Sequence, residues 1–140
     1  MSRAEGGYVV RPVGWVESPI VDPDTAPYQG DEGAPDAWLV LDPSVREAMR
    51  DLAVGAQVIV LTWLDRAGRD TLVVHPRGDQ NRAPTGVFST RSPDRPNPIG
   101  LHTVEIVAIE DTRIRVRNLE AINDTPVVDI KPVLGPIAER

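Results

Sequence analysis

The sequence predicts an all-β fold, mainly an antiparallel β-barrel with one helix, in a single domain spanning residues 1–140. Three observations support this class. Short apolar runs rich in Val and Ile recur along the chain and are separated by turn residues. A single segment combines a helix start signal with an apolar stripe at helical spacing. No G-x-G-x-x-G motif follows a strand, so a Rossmann fold is not predicted.

Seven strands are predicted from apolar runs of strand length. The central strand is Gln57–Leu64, which is strongly apolar and β-branched. The turn residues Asp65–Gly68 follow it, so we expect Asp70–His75 to return as its hairpin partner. Many short strands with a single helix are typical of a barrel. The other strands are expected at Tyr8–Val16, Trp38–Leu41, Leu101–Ile109, Arg113–Leu119 and Pro126–Ile130.

The helix is predicted over residues 43–53. Asp42 offers an N-cap oxygen, and Pro43 suits the first helical position. Four apolar residues at i, i+3, i+4 and i+7 form one face, and Gly55 is expected to end the helix. These four are Val45, Ala48, Met49 and Leu52. Two polar loops, residues 17–36 and 76–84, are long enough to carry function.

Residue usage narrows the possible function classes. The formal net charge is -6, whereas dedicated nucleic-acid binders are usually basic. Cysteine is absent, which excludes disulfides and thiolate metal sites. His75 and His102 lie far apart in sequence, and we expect no metal. No apolar run reaches membrane-spanning length and no signal-peptide pattern opens the chain, so we expect a cytoplasmic protein without a membrane partner.

Charge is distributed unevenly along the chain. Residues 17–42 carry seven acidic side chains and no Lys or Arg, while residues 66–95 carry six arginines. Arg113, Arg115 and Arg117 alternate with apolar residues and form a row on one strand face, the arginine stripe. The stripe is either a local RNA-binding patch or a solvated strand face.

The most informative stretch is residues 86–101, the Pro-Arg segment, which reads GVFSTRSPDRPNPIGL. Three prolines, two arginines and one asparagine fall within residues 90–98. Each proline fixes its own φ and restricts the residue before it. The loop therefore has few conformations to lose on folding, and its polar side chains are preorganised as in a binding site. An ordinary proline-rich turn is the alternative, but a turn does not need the interleaved arginines.

The Pro-Arg segment resembles the signature G-V-F-A-T-R-S-x-x-R-P-N-P-I-G-L of the TsaA-like family, whose best known members are the TrmO tRNA methyltransferases. Residues 125–132, TPVVDIKP, resemble the later block T-P-V-x-D-I-K-P of that family. Residues 12–19, PVGWVESP, resemble its opening block I-G-x-I-x-S-P. The three blocks follow the order of the family and span nearly the whole chain.

The resemblance implies a small β-barrel that binds S-adenosylmethionine without a Rossmann fold. It also implies a homodimer with the cofactor near the subunit interface. The tRNA-modifying members methylate the exocyclic amine (N6) of a threonylcarbamoylated adenosine beside the anticodon. We expect a short member of the family, without the extra C-terminal domain of longer bacterial members.

The resemblance also implies a set of cofactor-binding residues. Arg91 would hold the carboxylate, backbone groups of Leu101 and Leu119 would read the adenine, and Glu120 would bind ribose hydroxyls or the ammonium. No residue is assigned as catalytic. The full set is Pro27, Tyr28, Gln29, Asp65, Arg66, Arg91, Leu101, Asn118, Leu119, Glu120 and Ala121.

Several of these residues also have a purely structural interpretation. Arg91 is alternatively a strut within the barrel. Leu101 and Leu119 are core residues unless their backbone makes the contact. Asp65 and Arg66 are, with equal weight, ordinary turn residues.

Departures from the family pattern concern the methyl acceptor more than the cofactor. Tyr28 replaces the usual arginine, Asn123-Asp124 replaces Asp-Gly, and Val133 replaces an aromatic residue. His102 stands where the family tends to carry a small hydroxyl residue. Three functions therefore stay open. The leading one is a tRNA methyltransferase, the alternative is a methyltransferase of a small molecule on the same scaffold, and the third is a non-catalytic cofactor-binding module.

Overall fold

Eight strands and three 3-10 helices follow one another in a computed structural model that describes residues 6–21 and 34–135. The 3-10 helices are Pro43–Met49, Pro76–Gly78 and Val87–Ser89. The strands are β1 (Gly14–Glu17), β2 (Ala37–Leu41), β3 (Gln57–Trp63), β4 (Val73–Val74), β5 (Thr85–Gly86), β6 (Ile99–Glu110), β7 (Arg113–Arg117) and β8 (Pro126–Pro132).

Six of the strands form one sheet that closes on itself. Its order is β1-β2-β7-β6-β3-β8, and β8 pairs with β1 to complete a barrel. Every neighbouring pair is antiparallel. β4 and β5 form a separate two-stranded ribbon. The mainly antiparallel β class predicted from the sequence is confirmed.

The core fills the inside of the barrel. Successive side chains of a strand point to opposite faces, so alternate residues are buried. The interior is mostly Val, Leu and Ile, and two polar side chains, Thr62 and His102, are buried with them. Inward-facing residues of β3 and β6 are Val58, Val60, Thr62, Gly100, His102, Val104 and Ile106.

The predicted hairpin between Gln57–Leu64 and Asp70–His75 is wrong. β3 pairs with β6 and β8, and all seven of its residues have a partner on β6. The second segment contributes only β4, which pairs with β5 and leaves Leu72 and Val73 exposed. Turn residues report a local reversal of the chain. They do not report which distant apolar run a buried strand meets.

Several strand boundaries also differ from the prediction, and β6 begins two residues earlier than expected, at Ile99. β1 begins at Gly14, and Tyr8 and Val9 are exposed and outside the sheet. β7 ends at Arg117 because Asn118 adopts a left-handed φ of 72°, which breaks the extended strand. β8 continues two residues past its predicted end, to Pro132.

The helical segment begins where the sequence predicts but is a 3-10 helix that ends at Met49. Asp42 caps it by accepting a hydrogen bond from the backbone N–H of Ser44 at 2.9 Å. The next turn, in which Leu52 N–H donates to the Met49 carbonyl at 2.9 Å, keeps the i to i−3 spacing. No residue of the segment is fully buried. Across the described ranges, none of the helices has the length and apolar character needed to cross a bilayer.

Candidate functional site

The predicted site segments gather at one end of the barrel. Because neighbouring strands are antiparallel, this end holds the last residues of β1, β3 and β7 and the first residues of β2, β6 and β8. Residues 65–66 follow β3, the Pro-Arg segment leads into β6, and residues 118–121 follow β7. The sequence-predicted residues therefore share one region. Pro27, Tyr28 and Gln29 lie outside the described residues.

The Pro-Arg segment is fastened to the turn that follows β3. Gly68 N–H donates to the Asp94 carboxylate at 2.8 Å, and Arg95 N–H donates back to the Gly68 carbonyl at 3.0 Å. Arg69 donates to the Pro96 carbonyl at 2.9 Å and to the Asn97 side-chain oxygen at 2.9 Å. These four bonds hold the loop rigidly against the barrel end.

Arg95 is the strut of the Pro-Arg segment. Its guanidinium donates to the carbonyls of Thr90 at 3.1 Å, Ser92 at 3.0 Å and Val87. It is half-buried, and its donors point back into its own loop. The structural role considered for the first arginine of the motif is therefore filled by the second.

Arg91 is placed differently. It is exposed, and within residues 6–21 and 34–135 its side chain has no hydrogen bond or ion pair. A guanidinium presents a fork of N–H donors that matches a carboxylate. Among the described residues, Arg91 is thus an unpaired cationic group on a rigid loop, which is what anion recognition requires.

Asp65 and Arg66 are exposed turn residues directly after β3 and Leu64. Arg66 donates weakly to the Val21 carbonyl at 3.5 Å. Val21 is the last residue of the first described range, and residues 22–33 lie outside the described ranges. The Asp65 side chain makes no hydrogen bond with the part of the chain that is described.

Residues 118–121, the crossing segment, cover the end of the barrel. Leu119 is fully buried and Ala121 is 4% exposed, so their side chains close the core and are not available to a ligand. Just beyond, Asn123 ties this region to the chain after β1: its side-chain oxygen accepts from Ser18 N–H at 2.9 Å. A bound molecule can therefore contact Leu119 and Ala121 only through their backbone groups.

β6 leaves one edge open beside the crossing segment. β6 pairs with β3 over residues 99–105, but its pairing with β7 begins only at Glu105. Backbone bonds place the polar groups of Pro98 and Ile106 on the β3 side. Backbone direction alternates along an antiparallel strand, so the N–H and C=O of Leu101 and Thr103 point away from β3. We call this stretch the open edge, since neither residue has a strand partner there among the described residues.

Leu101 therefore offers its backbone to the open edge while its side chain faces outward. That side chain is 43% exposed, so the core interpretation of Leu101 is wrong. For Leu119 the core interpretation is right for the side chain.

A buried polar network joins the barrel wall to the crossing segment. The Thr62 hydroxyl lies 2.7 Å from Nε2 of His102, and Nδ1 of His102 lies 2.5 Å from Oε1 of Glu120. Sequence reasoning missed this network. The available signal was that His102 directly follows Leu101 at a position where the resembling family carries a smaller residue.

Gly100 makes room for this network. A Cβ atom at Gly100 would lie 2.3 Å from the Thr62 hydroxyl oxygen and 2.7 Å from His102 Nε2. Both distances are far below van der Waals contact, so no side chain fits without displacing the pair. Gly100, the second glycine of the Pro-Arg segment, is thus required by packing inside the barrel.

The clearest electrostatic shifts lie at the opposite end of the barrel. A hydrogen bond from Arg46 lowers the pKa of Asp111, and a backbone hydrogen bond from Ser44 lowers the pKa of Asp42. No group of three or more His, Cys, Asp or Glu side chains with metal-binding geometry occurs in residues 6–21 and 34–135.

Residues 15–137 match the protein family described as tRNA-methyltransferase O N-terminal domain. The chain belongs to this family. The match contains the Pro-Arg segment, the crossing segment and the block at residues 125–132, and it confirms the resemblance found in the sequence.

Curated relatives support the same assignment. An S-adenosyl-L-methionine-binding protein of Archaeoglobus fulgidus is 40% identical over 88% of this chain and 87% of its own length. A probable S-adenosyl-L-methionine-binding protein of Methanothermobacter thermautotrophicus is 42% identical over 88% of both chains. A longer probable S-adenosyl-L-methionine-binding protein of A. fulgidus is 42% identical over 91% of this chain, which spans 34% of that relative.

Solved structures of the family have the same fold. A crystal structure of TrmO from Pseudomonas aeruginosa superposes with a TM-score of 0.72 at 28% identity, over 91% of this chain and 56% of that one. Another crystal structure of TrmO gives a TM-score of 0.74 at 28% identity, over 91% and 57% of the two chains. This chain spans little more than half the length of those proteins.

Proposed function

We propose that this protein binds S-adenosylmethionine at the barrel end described above and transfers its methyl group to an adenosine of tRNA. In this proposal the target is the N6 amine of threonylcarbamoyladenosine next to the anticodon. Family membership and the relatives known as S-adenosyl-L-methionine-binding proteins support the cofactor. The observation that carries the proposal is Arg91, an exposed cation without a partner in the described chain, on the rigid loop of the family motif.

The residues at this end fit the chemical groups of the cofactor. Arg91 matches the carboxylate of the cofactor. The Glu120 carboxylate oxygen that does not bond to His102 matches its hydroxyl or ammonium donors. The open edge at Leu101 offers one backbone N–H and one C=O to the adenine edge. When bound, the cofactor supplies a methyl group activated on a cationic sulfur. The described side chains bind and orient it, and orientation is the main requirement of such a transfer.

A homodimer is part of the proposal. Leu101 and its neighbour Ile99 are 43% and 49% exposed on the outer face of β6. An apolar pair beside the open edge is suited to cover by a second copy of the chain. In this proposal the cofactor lies near that interface, where a second copy would cover the open edge. A tRNA substrate would place the protein in the cytoplasm.

The second candidate is methyl transfer to a small molecule on the same scaffold. The net charge of -6 and the ion pairing of the arginine stripe favour it, because both weaken attraction to a polyanion. A non-catalytic module that binds the cofactor is the third candidate, and it predicts binding without transfer.

Three measurements on the purified protein separate these functions. Calorimetry with S-adenosylhomocysteine tests cofactor binding. Mass spectrometry of nucleosides after incubation with S-adenosylmethionine and tRNA bearing threonylcarbamoyladenosine tests transfer, and we expect a mass gain of one methyl group on that nucleoside. Cofactor binding with no tRNA product, but with a methylated metabolite from a small-molecule extract, would move the second candidate ahead. Absence of cofactor binding would overturn the proposal.

A further inference from the structure

We propose that His102 is a positioning residue of the cofactor site. Its Nδ1–H holds one oxygen of the Glu120 carboxylate, so that the other oxygen faces a hydrogen-bond donor of the bound molecule. This inference rests on the proposed function, because it assigns a role within the same site. It concerns a side chain that differs from the usual residue of the family.

The network is built as a relay from the barrel wall to the site. Thr62 is fully buried, the His102 side chain is 4% exposed, and the Glu120 side chain is 16% exposed. Exposure therefore rises along the network, and Glu120 is the member that reaches solvent. The bonds join β3 to β6 and then β6 to the crossing segment. His102 is the one residue that contacts both partners.

The proton positions follow from the partners. An ionised carboxylate can only accept, so the ring nitrogen facing Glu120, Nδ1, carries a hydrogen. In the neutral ring, Nε2 is then an acceptor and takes the hydroxyl hydrogen of Thr62. Glu120 thus selects the tautomer of His102, and the Thr62 hydroxyl, which can donate or accept, adapts to it. A histidine held on both nitrogens has a fixed ring orientation, and it fixes the carboxylate in turn.

A purely space-filling histidine would not need this arrangement. Buried polar groups destabilise a core unless they are bonded, so an apolar residue would fill the same volume with less risk. The network also has one unused hydrogen-bond acceptor, at the end nearest to solvent. The second oxygen of Glu120 has no hydrogen-bond partner within residues 6–21 and 34–135. That oxygen is the feature that a ligand donor would satisfy.

Glu120 lies near the other candidate contact, because it bonds to His102, the residue that follows Leu101. Leu101 immediately precedes His102, and alternation along β6 sends the His102 ring inward while the backbone of Leu101 meets the open edge. The crossing segment that carries Glu120 flanks the same edge. S-adenosylmethionine has two kinds of donor that could reach the carboxylate, its ribose hydroxyls and its ammonium group.

Two substitutions of similar size separate positioning from packing. The amide NH2 of Asn lies close to the place of imidazole Nδ1, so His102→Asn retains a donor to Glu120. The amide of Gln reaches the place of Nε2, so His102→Gln retains the contact to Thr62 and loses the donor to Glu120. A structural role predicts that Gln, which fills more of the volume, is the better substitute. A positioning role predicts the reverse.

The readout is the Kd of S-adenosylhomocysteine by calorimetry, with thermal unfolding to verify that each variant folds. We expect His102→Asn to bind within about threefold of wild type and His102→Gln to bind about tenfold more weakly, the factor for one hydrogen bond to a charged group. Glu120→Gln should also bind about tenfold more weakly, and adding His102→Gln to it should cost nothing further. Equal affinities for the Asn and Gln variants, or additive losses in the double variant, would overturn the inference while leaving the proposed function intact.

The donor is identified by a second ligand. Methylthioadenosine keeps the ribose hydroxyls and lacks the ammonium. If Glu120 reads the hydroxyls, His102→Gln weakens both ligands alike, and if it reads the ammonium, only S-adenosylhomocysteine is weakened. No change for either ligand contradicts the inference. If wild type binds neither ligand, the proposed function itself fails.

Nitrogen NMR of wild type gives a test that needs no substitution. The chain has only two histidines, so the ring signals of His102 and His75 are readily separated. We expect the proton of His102 on Nδ1 and a shift of that signal when S-adenosylhomocysteine is added, with His75 unchanged. A proton on Nε2 alone, or an unmoved His102 signal at saturating ligand, would contradict the positioning role.

Discussion

The arginine side chains of the arginine stripe and of the Pro-Arg segment differ in their hydrogen-bond and ion-pair partners. Every guanidinium of the stripe faces a carboxylate: Arg113 pairs with Glu17 at 2.9 Å, Arg115 with Asp36 at 3.1 Å and Arg117 with Glu105 at 3.9 Å. In the Pro-Arg segment no arginine pairs with a carboxylate within the described chain. Arg95 donates to three carbonyls, and Arg91 has no hydrogen-bond or ion-pair partner among residues 6–21 and 34–135.

The difference shows that counting arginines does not locate an anion site. The stripe looks more cationic in sequence, yet carboxylates on adjacent segments cancel its charge, and Arg113 also stacks on Trp38 at 4.8 Å. A polyanion would have to displace those partners before it could bind. The one acidic side chain of the Pro-Arg segment, Asp94, accepts a hydrogen bond from the backbone N–H of Gly68. The remaining positive charge of the segment is available.

The largest expected effect is on stability, through Arg95. Arg95→Ala removes three hydrogen bonds that close the Pro-Arg segment, and we expect the free energy of unfolding to fall by about 2–3 kcal/mol. Urea denaturation followed by far-UV circular dichroism measures it. Arg91→Ala is the matched control and should change it by less than about 0.5 kcal/mol. Equal stability losses in both variants would contradict the prediction, because they would mean that Arg91 stabilises the fold as much as Arg95 does.

Arg91 should show the opposite profile. Arg91→Ala is expected to weaken S-adenosylhomocysteine binding about tenfold or more, the loss expected for a charge-assisted hydrogen bond to a carboxylate. Arg91→Lys keeps the charge and loses the fork, so it should restore only part of the affinity. Calorimetry on the folded variants gives both values. An unchanged Kd in Arg91→Ala would remove this residue from the site.

The arginine stripe should matter little to either property. Each of Arg113→Gln, Arg115→Gln and Arg117→Gln is expected to cost about 0.2–1 kcal/mol by itself, as for exposed ion pairs, and the tRNA assay uses the triple variant that combines them. Methylation of tRNA by this triple variant should match wild type in the nucleoside assay. Loss of tRNA methylation with intact cofactor binding would instead make the stripe an RNA-binding surface.

The smallest effect is expected for the ion pair between Arg46 and Asp111. Asp111 lies in the turn just before β7, at the barrel end opposite the candidate site. This pairing lowers the pKa of Asp111 below its ordinary 3.8 in the folded protein. The stabilisation is therefore fully present above pH 3.8 and is lost as the pH falls through the folded-state pKa. We expect Asp111→Asn to have a slightly lower Tm than wild type at neutral pH, and the difference to shrink in acid. A difference that is constant with pH would mean that the ion pair contributes nothing.

The sequence was sufficient for features that depend on local pattern. Short apolar runs located β2, β3, β7 and β8, and the proline spacing marked the Pro-Arg segment as rigid. It also placed the start of the helical segment, because Asp42 and Pro43 act on their immediate neighbours. Its 3-10 character was not predicted, and nothing in the structure explains it.

Features that depend on distant partners could not be predicted. The Thr62–His102 contact joins residues 40 apart, and the His102–Glu120 contact joins residues 18 apart. Neither separation has a periodicity that sequence reasoning can detect. The partners of the arginine stripe are more distant still, since Glu17 lies 96 residues from Arg113. Strand order decides these contacts, and the wrongly predicted hairpin shows that strand order was the missing information.

The open edge has a consequence for the solubility of the protein. Unpaired strand edges attract further strands, and proteins usually protect them with charges, bulges or a covering element. A molecule that hydrogen-bonds to the backbone of Leu101 occupies the position of a missing strand. The ligand-free protein is then the form prone to edge-to-edge aggregation. A ligand bound at the open edge protects the protein against self-association.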